Sequence, residues 1–464
     1  MHLFTSSVYQ QRRQHLQSKF ESGLLLFPGN NESPMNYAAN TYHFRQDSSF
    51  LYYFGIDLPG CCAIIDVDEN ATILYGPQWS LDDIVWMGPQ ESLTALAEKV
   101  GIQQTAAPFA IKDKIQGAQK ANRPIHYLPP YRADRQLQLA DWLGTNAQQS
   151  KQQFSPSLVK AVVDQRAIKG KEELAELEKA LTITGAMHQA AMQKARPGQL
   201  EAELAGIAHG TAVGVDSYPA YPIILTVNGQ TLHNHHHHNP LQSGQLVLGD
   251  FGAESPMHYA GDITRTFPVD KTFSDRQKSI YQIVLDAQLA AIDALRPGTL
   301  FKDVHLLASQ KISEGLCALG LMKGKPEEAV AAGAHALFFP HGLGHMLGLD
   351  VHDMEDLGED IVGYDDSVKR SDQFGLAYLR LGRALQAGFV LTVEPGIYFI
   401  PELIDQWQAS GKFQEFINYE EVVKWKDFSG IRIEDNLLIT AEGSQLIGPP
   451  IPKTIAEVEQ VRQQ

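Results

Sequence analysis

Short apolar segments alternate with amphipathic stretches along the first third of the chain. Segments 23–27 (GLLLF) and 63–67 (AIIDV) are short, apolar and close to turn residues, a pattern that predicts buried strands. Segment 91–100 has helical periodicity. This alternation predicts an αβ domain at the N-terminal end.

A polar segment separates this region from the rest. Residues 148–156 (QQSKQQFSP) contain few apolar positions and end in Ser-Pro, which favours a domain boundary. A chain of 464 residues is also long enough for two or three domains. We therefore predict one domain over 1–155 and a second over 156–464.

Two helical stretches of the second domain end in the same tripeptide. The pattern over 171–195 predicts a long helix that ends at an Arg-Pro-Gly sequence at 196–198, and the pattern over 288–295 ends at another at 296–298. Pro-Gly is a common helix stop, so the repeat is either coincidental or marks two related αβ halves.

Four further segments predict strands, at 245–253, 259–269, 390–400 and 431–440. Because helical stretches lie between the two pairs, the sequence predicts a mixed α/β (α+β) fold.

Composition narrows the class of protein. A net charge of −16, with 44% hydrophobic and 20% charged residues, is ordinary for a globular protein. It argues against nucleic acid or an anionic membrane as partner. We expect no membrane span and no signal peptide. Three cysteines, two of them adjacent, predict reduced thiols and a cytoplasmic location.

Two aspartates flank a predicted turn. A hairpin folded about Pro256 would place Asp250 directly opposite Asp262, with Cβ atoms roughly 4.5–5.5 Å apart. Two like charges that close are unfavourable unless a cation lies between them. Two solvated surface aspartates are the alternative, but the apolar neighbours of both residues favour burial.

Three histidines occur in the glycine-rich segment 340–353 (PHGLGHMLGLDVHD): His341, His345 and His352. The first two have the spacing of a helical zinc-ligand pair, but the glutamate of that motif is missing and the glycines disfavour a helix. A single histidine is more often a core residue. Three in one such segment favour a functional role.

Two glutamates lie in apolar predicted strands. Glu394 (VEPG) and Glu434 (IRIED) would rarely be buried there without a partner. Arg432 shares a strand face with Glu434, so a structural Arg–Glu pair remains an alternative. Two divalent cations would balance the two aspartates and two glutamates, and one imidazole among oxygen ligands suits Mn²⁺ before Zn²⁺. The set predicts a metal-assisted hydrolase.

A run of four histidines, 235–238, lies within the sequence LHNHHHHNP. A metal-binding tract and a tag are two interpretations, and its internal position argues against a tag. We interpret the run as a solvent-exposed loop beside the site.

The motifs together resemble the pita-bread metallopeptidases, and within them the proline-specific branch of aminopeptidase P and prolidase. They are LH (232–233), LGDFGAE, YAGDITRTFPV, PHGLGHMLGLDVHD, VEPGIYF and GIRIED, in a match over most of 165–448. Segment 44–60 (FRQDSSFLYYFGIDLPG) resembles the creatinase-like domain of this branch. The resemblance implies an N-terminal creatinase-like αβ domain and a C-terminal pita-bread catalytic domain with pseudo-twofold αβ halves.

The resemblance also implies residue roles. The implied ligands of two divalent metal ions, with Mn²⁺ first and Co²⁺ or Zn²⁺ as alternatives, are Asp250, Asp262, His345, Glu394 and Glu434. The implied catalytic residues are His233, His341, His352 and Glu394, of which Glu394 is the proton shuttle. The implied substrate-binding residues are Tyr221, Arg380 and Arg432, and Tyr221 matches a tyrosine bonded to a ligand carboxylate. One departure is that His233 is followed by Asn234 and four histidines rather than by the usual tyrosine and asparagine.

The implied activity is hydrolysis of the N-terminal Xaa-Pro bond of peptides by an Xaa-Pro aminopeptidase. The alternative is a prolidase acting on dipeptides only, with Arg380 binding the free carboxylate. A further alternative is a non-catalytic pita-bread binding protein, although such proteins normally lose metal ligands. We expect a proline-containing peptide as substrate, a homodimer or higher homo-oligomer, and neither nucleic acid nor membrane as partner.

Overall fold

The computed structural model describes residues 2–464 and divides into two compact units. The first extends to Arg166 and includes Asp356–Gly358, and the second comprises Ala167–Glu355 and Glu359–Gln464. Helix Pro156–Arg166 therefore groups with the first unit, so the division falls one helix later than the boundary at 155/156 drawn from the polar segment. The limits of the functional domains stay a prediction.

The first unit contains seven strands: β1 Leu24–Pro28, β2 Pro34–Tyr37, β3 Asn40–Thr41, β4 Cys62–Asp66, β5 Ala71–Tyr75, β6 Gln104–Ala106 and β7 Ile125–Tyr127. Five of them form a mixed sheet with the order β6-β5-β4-β1-β7, and β2 and β3 form a separate two-stranded sheet. Its helices are α1 Ser6–Gln17, α2 Ser48–Phe54, α3 Leu81–Met87, α4 Leu93–Lys99, α5 Ala110–Lys120, α6 Ala133–Leu143, α7 Ala147–Gln152 and α8 Pro156–Arg166. The strands predicted at 23–27 and 63–67 and the helix predicted at 91–100 are confirmed.

The core of this unit follows from strand alternation. Leu24 and Leu26 of β1 point to the same face as Ile64 of β4, and this face packs against Ile111 and Ile115 of α5. The three cysteines are unpaired, as predicted.

The second unit contains three small sheets and the longest helices. Its helices are α9 Lys171–Lys194, α10 Glu201–Val213, α11 Asp275–Ala294, α12 Phe301–Ala318, α13 Pro326–Ala332, α14 Glu359–Val362, α15 Pro401–Ala409, α16 Tyr419–Val422 and α17 Ile455–Gln463. Its strands are β8 Ile224–Thr226, β9 Leu246–Asp250, β10 Thr264–Pro268, β11 Val390–Val393, β12 Gly396–Tyr398, β13 Gly430–Arg432, β14 Asp435–Ile439 and β15 Ser444–Leu446. Short 3₁₀ helices lie at Ala334–Leu337, Glu355–Leu357, Leu376–Tyr378 and Val423–Trp425. No helix within residues 2–464 has the length and apolar character needed to cross a membrane.

The two Arg-Pro-Gly stops mark related halves. After α9, the Gly198 N–H donates to the Leu241 carbonyl at 2.8 Å, and after α11 the Gly298 N–H donates to the Leu385 carbonyl at 2.8 Å. Both glycines have positive φ, 91° and 87°, a conformation that favours glycine. We call residues 171–268 the first half and residues 275–446 the second half. Each comprises a helix, the Arg-Pro-Gly turn, a second helix and antiparallel strands.

The β9–β10 hairpin differs in register from the prediction. Asp250 pairs with Thr264, not with Asp262, because the bridge between Glu254 and Ala260 centres the turn on Met257 instead of Pro256. Moving the centre by one residue moves the partner by two. Asp262 is therefore a diagonal neighbour of Asp250 on the same face of the hairpin.

The two long strands predicted in the second half are each interrupted at a glutamate. Segment 390–400 forms β11 and β12 on either side of Glu394, and segment 431–440 forms β13 and β14 on either side of Glu434. Pro395 follows Glu394 and has no N–H to donate to a ladder. The pairing register is nevertheless the same in both sheets, so the two glutamates lie opposite each other at the break.

Candidate metal centre

Asp250 ends β9 and Asp262 precedes β10, and Tyr221 joins their carboxylates. The Tyr221 hydroxyl lies 2.6 Å from Asp250 Oδ1 and also hydrogen-bonds Asp262, which is the carboxylate contact that the resemblance implied for Tyr221. Burial raises the pKa of Asp250. Burial also opposes ionisation of Asp262, but the hydrogen bond and charge of His345 outweigh it and lower the pKa of this carboxyl.

His345 reaches the aspartates from an extended segment beside β11. The Thr392 N–H donates to the His345 carbonyl at 3.0 Å, and the Glu394 N–H donates to the Leu343 carbonyl at 2.8 Å. A Cβ on Gly344 would lie 2.1 Å from the Thr392 carbonyl oxygen, so this close approach requires glycine. His341 and His345 are therefore not a helical ligand pair.

The tautomer of His345 suits a metal ligand. Its Nδ1 donates to the Met346 carbonyl at 3.0 Å, so Nε2 is the nitrogen that faces the centre, and loss of its proton would free a lone pair for a metal. Nε2 lies 3.3 Å from Asp262 Oδ2 and 3.6 Å from Glu394 Oε1. A backbone hydrogen bond to the second nitrogen is the usual way in which a ligating histidine is oriented.

The two opposed glutamates have few donors. Thr264 Oγ1 donates to Glu434 Oε2 at 2.7 Å, whereas Glu434 Oε1 is buried and has no hydrogen-bond partner among residues 2–464. Burial and the negative charges of Asp262 and Glu394 raise the pKa of Glu434 well above its usual value. Burial, reinforced by Asp262 and Asp250 and opposed by His345 and Arg432, raises the pKa of Glu394 to about 7.

These residues fit divalent metal ions. Asp262, His345 and Glu434 each offer a ligand atom, and the three atoms lie within 4.8 Å of one another. Bonds of about 2.0–2.2 Å to nitrogen and oxygen would let one ion reach all three. The orphaned Glu434 oxygen gains a partner on such an ion. Of the five predicted ligands, the other two adjoin this cluster: Asp250 through Tyr221, and Glu394 through His345.

The structure places Arg432 against Asp250, and its substrate-binding role stays a prediction. Its buried guanidinium donates to Asp250, to the Tyr398 hydroxyl at 2.8 Å and to Thr264 Oγ1 at 3.0 Å. It does not pair with Glu434, because the strand break turns that carboxylate towards Thr264. With its side chain only 4% exposed, Arg432 anchors Asp250, and its Nε also lies 4.0 Å from Glu394 Oε2.

His341 is also held by protein groups at both ring nitrogens. Nδ1 donates to the Gly342 carbonyl at 2.8 Å, and Nε2 accepts from the Tyr398 hydroxyl at 2.8 Å. Burial and the charge of Arg432 lower the pKa of His341 to about 3. His341 thus ends a chain of hydrogen bonds from Arg432 through Tyr398, and its catalytic role stays a prediction.

His352 and Arg380 meet at Glu355. The His352 ring centre lies 4.2 Å from that of His345, and His352 Nδ1 donates to Glu355, whose Oε2 also lies 3.3 Å from Arg380 Nε. Burial and the charge of His345 lower the pKa of His352, against the effect of Glu355. Its Nε2 makes no hydrogen bond to residues 2–464, and its catalytic role stays a prediction.

His233 lies at the exposed edge of the centre. Burial of part of its ring and the charges of Arg432 and Arg380 lower the pKa of His233, while Asp250 opposes them. These groups place His233 beside the ligands rather than among them.

Residues 175–441 match the model of metallopeptidase family M24, which is more than half of the chain. The chain belongs to metallopeptidase family M24. Residues 9–126 of this M24 protein match the aminopeptidase P N-terminal domain. Human Xaa-Pro dipeptidase is 31% identical over 449 residues, covering 95% of this chain and 88% of the human protein. A probable Xaa-Pro aminopeptidase of Fusarium vanettenii is 34% identical over 418 residues, covering 86% and 83%.

Solved structures extend the comparison of the M24 chain to its whole length. Aminopeptidase PepP of Pseudomonas aeruginosa superposes with a TM-score of 0.82 at 27% identity, covering 100% of this chain and 99% of that one. Zinc-substituted Escherichia coli aminopeptidase P in complex with product gives 0.81 at 30% identity, with the same coverage. The predicted fold and the prediction of a metallopeptidase are confirmed, and the non-catalytic alternative is wrong.

Three residues of this M24 centre were missed from the sequence: Thr264, Glu355 and Tyr398. Two of them carry a readable signal. Tyr398 follows Glu394 at an even strand spacing, and Glu355 follows His352 by the three residues of one turn. Thr264 becomes visible only once the hairpin register is known.

Proposed function

We propose that this M24 enzyme is an Xaa-Pro aminopeptidase, which hydrolyses the N-terminal Xaa-Pro bond of a proline-containing peptide. The buried cluster of Asp262, His345 and Glu434, with its one unsatisfied carboxylate oxygen, carries the proposal. The names of the relatives and the match to an aminopeptidase P N-terminal domain support the substrate class.

Two divalent ions are proposed as the cofactor, held by Asp250, Asp262, His345, Glu394 and Glu434. Bound there, they would lower the pKa of water and polarise the scissile carbonyl. A set of four carboxylates and one imidazole favours Mn²⁺, with Co²⁺ and Zn²⁺ as alternatives.

Side chains of the centre would handle protons and the carbonyl oxygen. Glu394 is partly exposed, with 17% of its side chain accessible, and is proposed to take a proton from water and pass it to the leaving prolyl nitrogen. His352, oriented by Glu355, presents Nε2 to the carbonyl oxygen, where charge develops. His233 is proposed to line the substrate side of the centre.

Prolidase activity is the second candidate, and Arg380 favours it. This side chain is 35% exposed and adjoins His352 through Glu355, so it can bind a dipeptide carboxylate. Glu355 and Glu359, at 3.3 Å and 3.6 Å from Arg380 Nε, already compete for the guanidinium. This competition favours longer peptides over dipeptides.

Rates with Mn²⁺ on an Xaa-Pro dipeptide and an Xaa-Pro-Yaa-Zaa tetrapeptide test the choice. We expect a higher kcat/KM for the tetrapeptide and an equal, small effect of Arg380→Ala on both substrates. Arg370→Ala is the matched control, because Arg370 also pairs with Glu359. If the protein hydrolyses only dipeptides, and Arg380→Ala but not Arg370→Ala abolishes this hydrolysis, the activity is that of a prolidase and not of an aminopeptidase. No hydrolysis of either peptide with Mn²⁺, Co²⁺ or Zn²⁺ would refute both.

A homodimer or higher homo-oligomer and a cytoplasmic location complete the proposal. The first unit exposes apolar side chains on α3: Leu81 is 76%, Val85 71% and Trp86 86% exposed. Apolar surface of this kind is typical of a protein interface. Light scattering on the full chain would test the assembly, and a monomer at micromolar concentration would contradict it.

A further inference from the structure

The histidine run, residues 235–238, contributes no residue to the centre described above. Hydrogen bonds on both sides of the run hold its backbone in place. Asn234 Nδ2 donates to Thr226 Oγ1 at 2.9 Å before the run, and Asn239 Nδ2 donates to Glu201 Oε2 at 2.9 Å after it. Glu201 is fully buried and also accepts the Val227 N–H at 2.8 Å. The run is therefore a pinned loop with little freedom at either end.

One histidine pins the middle of the loop, and the others face outward. His237 Nε2 donates to the Ile223 carbonyl at 3.0 Å. His235, His236 and His238 are exposed. Among residues 2–464, no hydrogen bond is made by the rings of His236 and His238, so their nitrogens are available to a ligand.

The geometry of His236 and His238 suits one ion. Their ring centres are 6.1 Å apart, with planes inclined by 50°. With nitrogen–metal bonds of about 2.0–2.1 Å, two imidazoles on the same ion have ring centres roughly 5–6.5 Å apart. No proton has to be displaced from neutral imidazole, and imidazole prefers late transition metals over Mn²⁺ or Mg²⁺.

The loop lies close to the catalytic centre without belonging to it. His233, at the edge of that centre, has a pKa lowered by partial burial and the charge of Arg432, with a smaller contribution from His235. The run follows His233 by two residues in sequence, and its ligand chemistry differs from that of the carboxylate-rich centre.

We propose that His236 and His238 form an exposed accessory site for a late divalent transition metal, Cu²⁺, Ni²⁺ or Zn²⁺, with water completing the coordination. Its ligands are neutral imidazoles, whereas the catalytic centre is dominated by carboxylates. The two sites therefore select different ions, and this site is independent of the proposed peptidase activity.

The test uses full-length protein that has first received only two equivalents of Zn²⁺ per chain, which fill the catalytic centre and leave none for the accessory site; Cu²⁺ alone is then added. We expect about one Cu²⁺ per chain, an EPR spectrum with nitrogen hyperfine splitting from two imidazoles, and no release of zinc. In the double variant His236→Gln/His238→Gln, Cu²⁺ binding should weaken by at least about tenfold, because loss of either imidazole alone already breaks the chelate.

His15→Gln/His209→Gln is the matched control, because it removes two other exposed histidines, and it should bind Cu²⁺ like the natural protein. Equal Cu²⁺ affinity in His236→Gln/His238→Gln would overturn the proposal. Release of one zinc for each copper bound would overturn it as well, since the copper would then occupy the catalytic centre.

Discussion

The two halves of the second unit place paired carboxylates on one scaffold but treat them differently. The first half contributes Asp250 and Asp262, which are diagonal in register and share the Tyr221 hydroxyl. The second half contributes Glu394 and Glu434, which are directly opposed.

Most side-chain hydrogen-bond donors of the centre contact the first pair, Asp250 and Asp262. Arg432 and His345 belong to the second half, yet they hydrogen-bond Asp250 and Asp262. The only side chain that the first half gives to Glu434 in return is Thr264. The aspartates are thus balanced by protein groups, whereas Glu394 has the more distant His345 and Arg432 and Glu434 Oε1 has no partner among residues 2–464.

The largest expected effect is the loss of activity when a glutamate of the second pair is removed. Glu434→Ala should remove a ligand of the cluster and lower kcat/KM by roughly 10³-fold, because carbonyl polarisation and water activation supply several kcal/mol. Metal content by mass spectrometry should fall in parallel. Glu442→Ala, at an exposed position, is the control. A loss under tenfold would mean that Glu434 is no ligand.

In the metal-free protein, substitutions in the two carboxylate pairs should change stability in opposite directions. In the metal-free protein, Glu434→Gln should raise stability by about 1–3 kcal/mol, because the amide removes a negative charge that burial, Asp262 and Glu394 disfavour. Asp262→Asn should lower it, since His345 and Tyr221 lose an ionised partner. Thermal unfolding in chelator would measure both. If both substitutions destabilise the metal-free protein, the proposed difference between the two carboxylate pairs is wrong.

The hydroxyl shared by the aspartates gives a smaller effect. Tyr221→Phe removes the donor that orients Asp250 and Asp262, and it should weaken metal binding by about 10–100-fold. Calorimetric titration of the metal-free protein would measure this loss. Tyr37→Phe, at a residue 63% exposed, should leave the affinity unchanged. An unchanged affinity in Tyr221→Phe would show that Arg432 alone positions Asp250.

The smallest effect is expected outside both pairs. Glu355 orients His352, so Glu355→Gln should lower kcat by about tenfold while metal content stays constant. Glu355→Asp should restore part of the rate, which a merely structural role would not predict. A change in metal content would instead link Glu355 to the ligands.

The sequence was most informative where the chemistry is local. The apolar strands, the helix stops at 196–198 and 296–298, and the order of the acidic residues could all be read from residue types. The hairpin register could not, since it depends on a turn in which His258 adopts a positive φ of 66°. Because a one-residue change of turn centre shifts every partner, the strand partner of Asp250 was predicted wrongly.

Long-range partners were the other limit. Arg432 has a glutamate two residues away in sequence, yet it binds Asp250, 182 positions distant. His341 likewise meets the Tyr398 hydroxyl, 57 positions distant, at its second nitrogen. In both cases strand alternation gives the face on which a side chain lies and leaves open which group of another element meets it.

The backbone approach at Gly344 has a consequence for engineering. The backbone of His345, the proposed imidazole ligand, is held against β11 by main-chain hydrogen bonds, so the neighbouring strand sets where its side chain begins. Alanine at 344, although it touches no ligand, would displace the histidine as a rigid body. Redesign of the ion preference is therefore better attempted by exchanging carboxylates than by repacking the loop that supplies nitrogen.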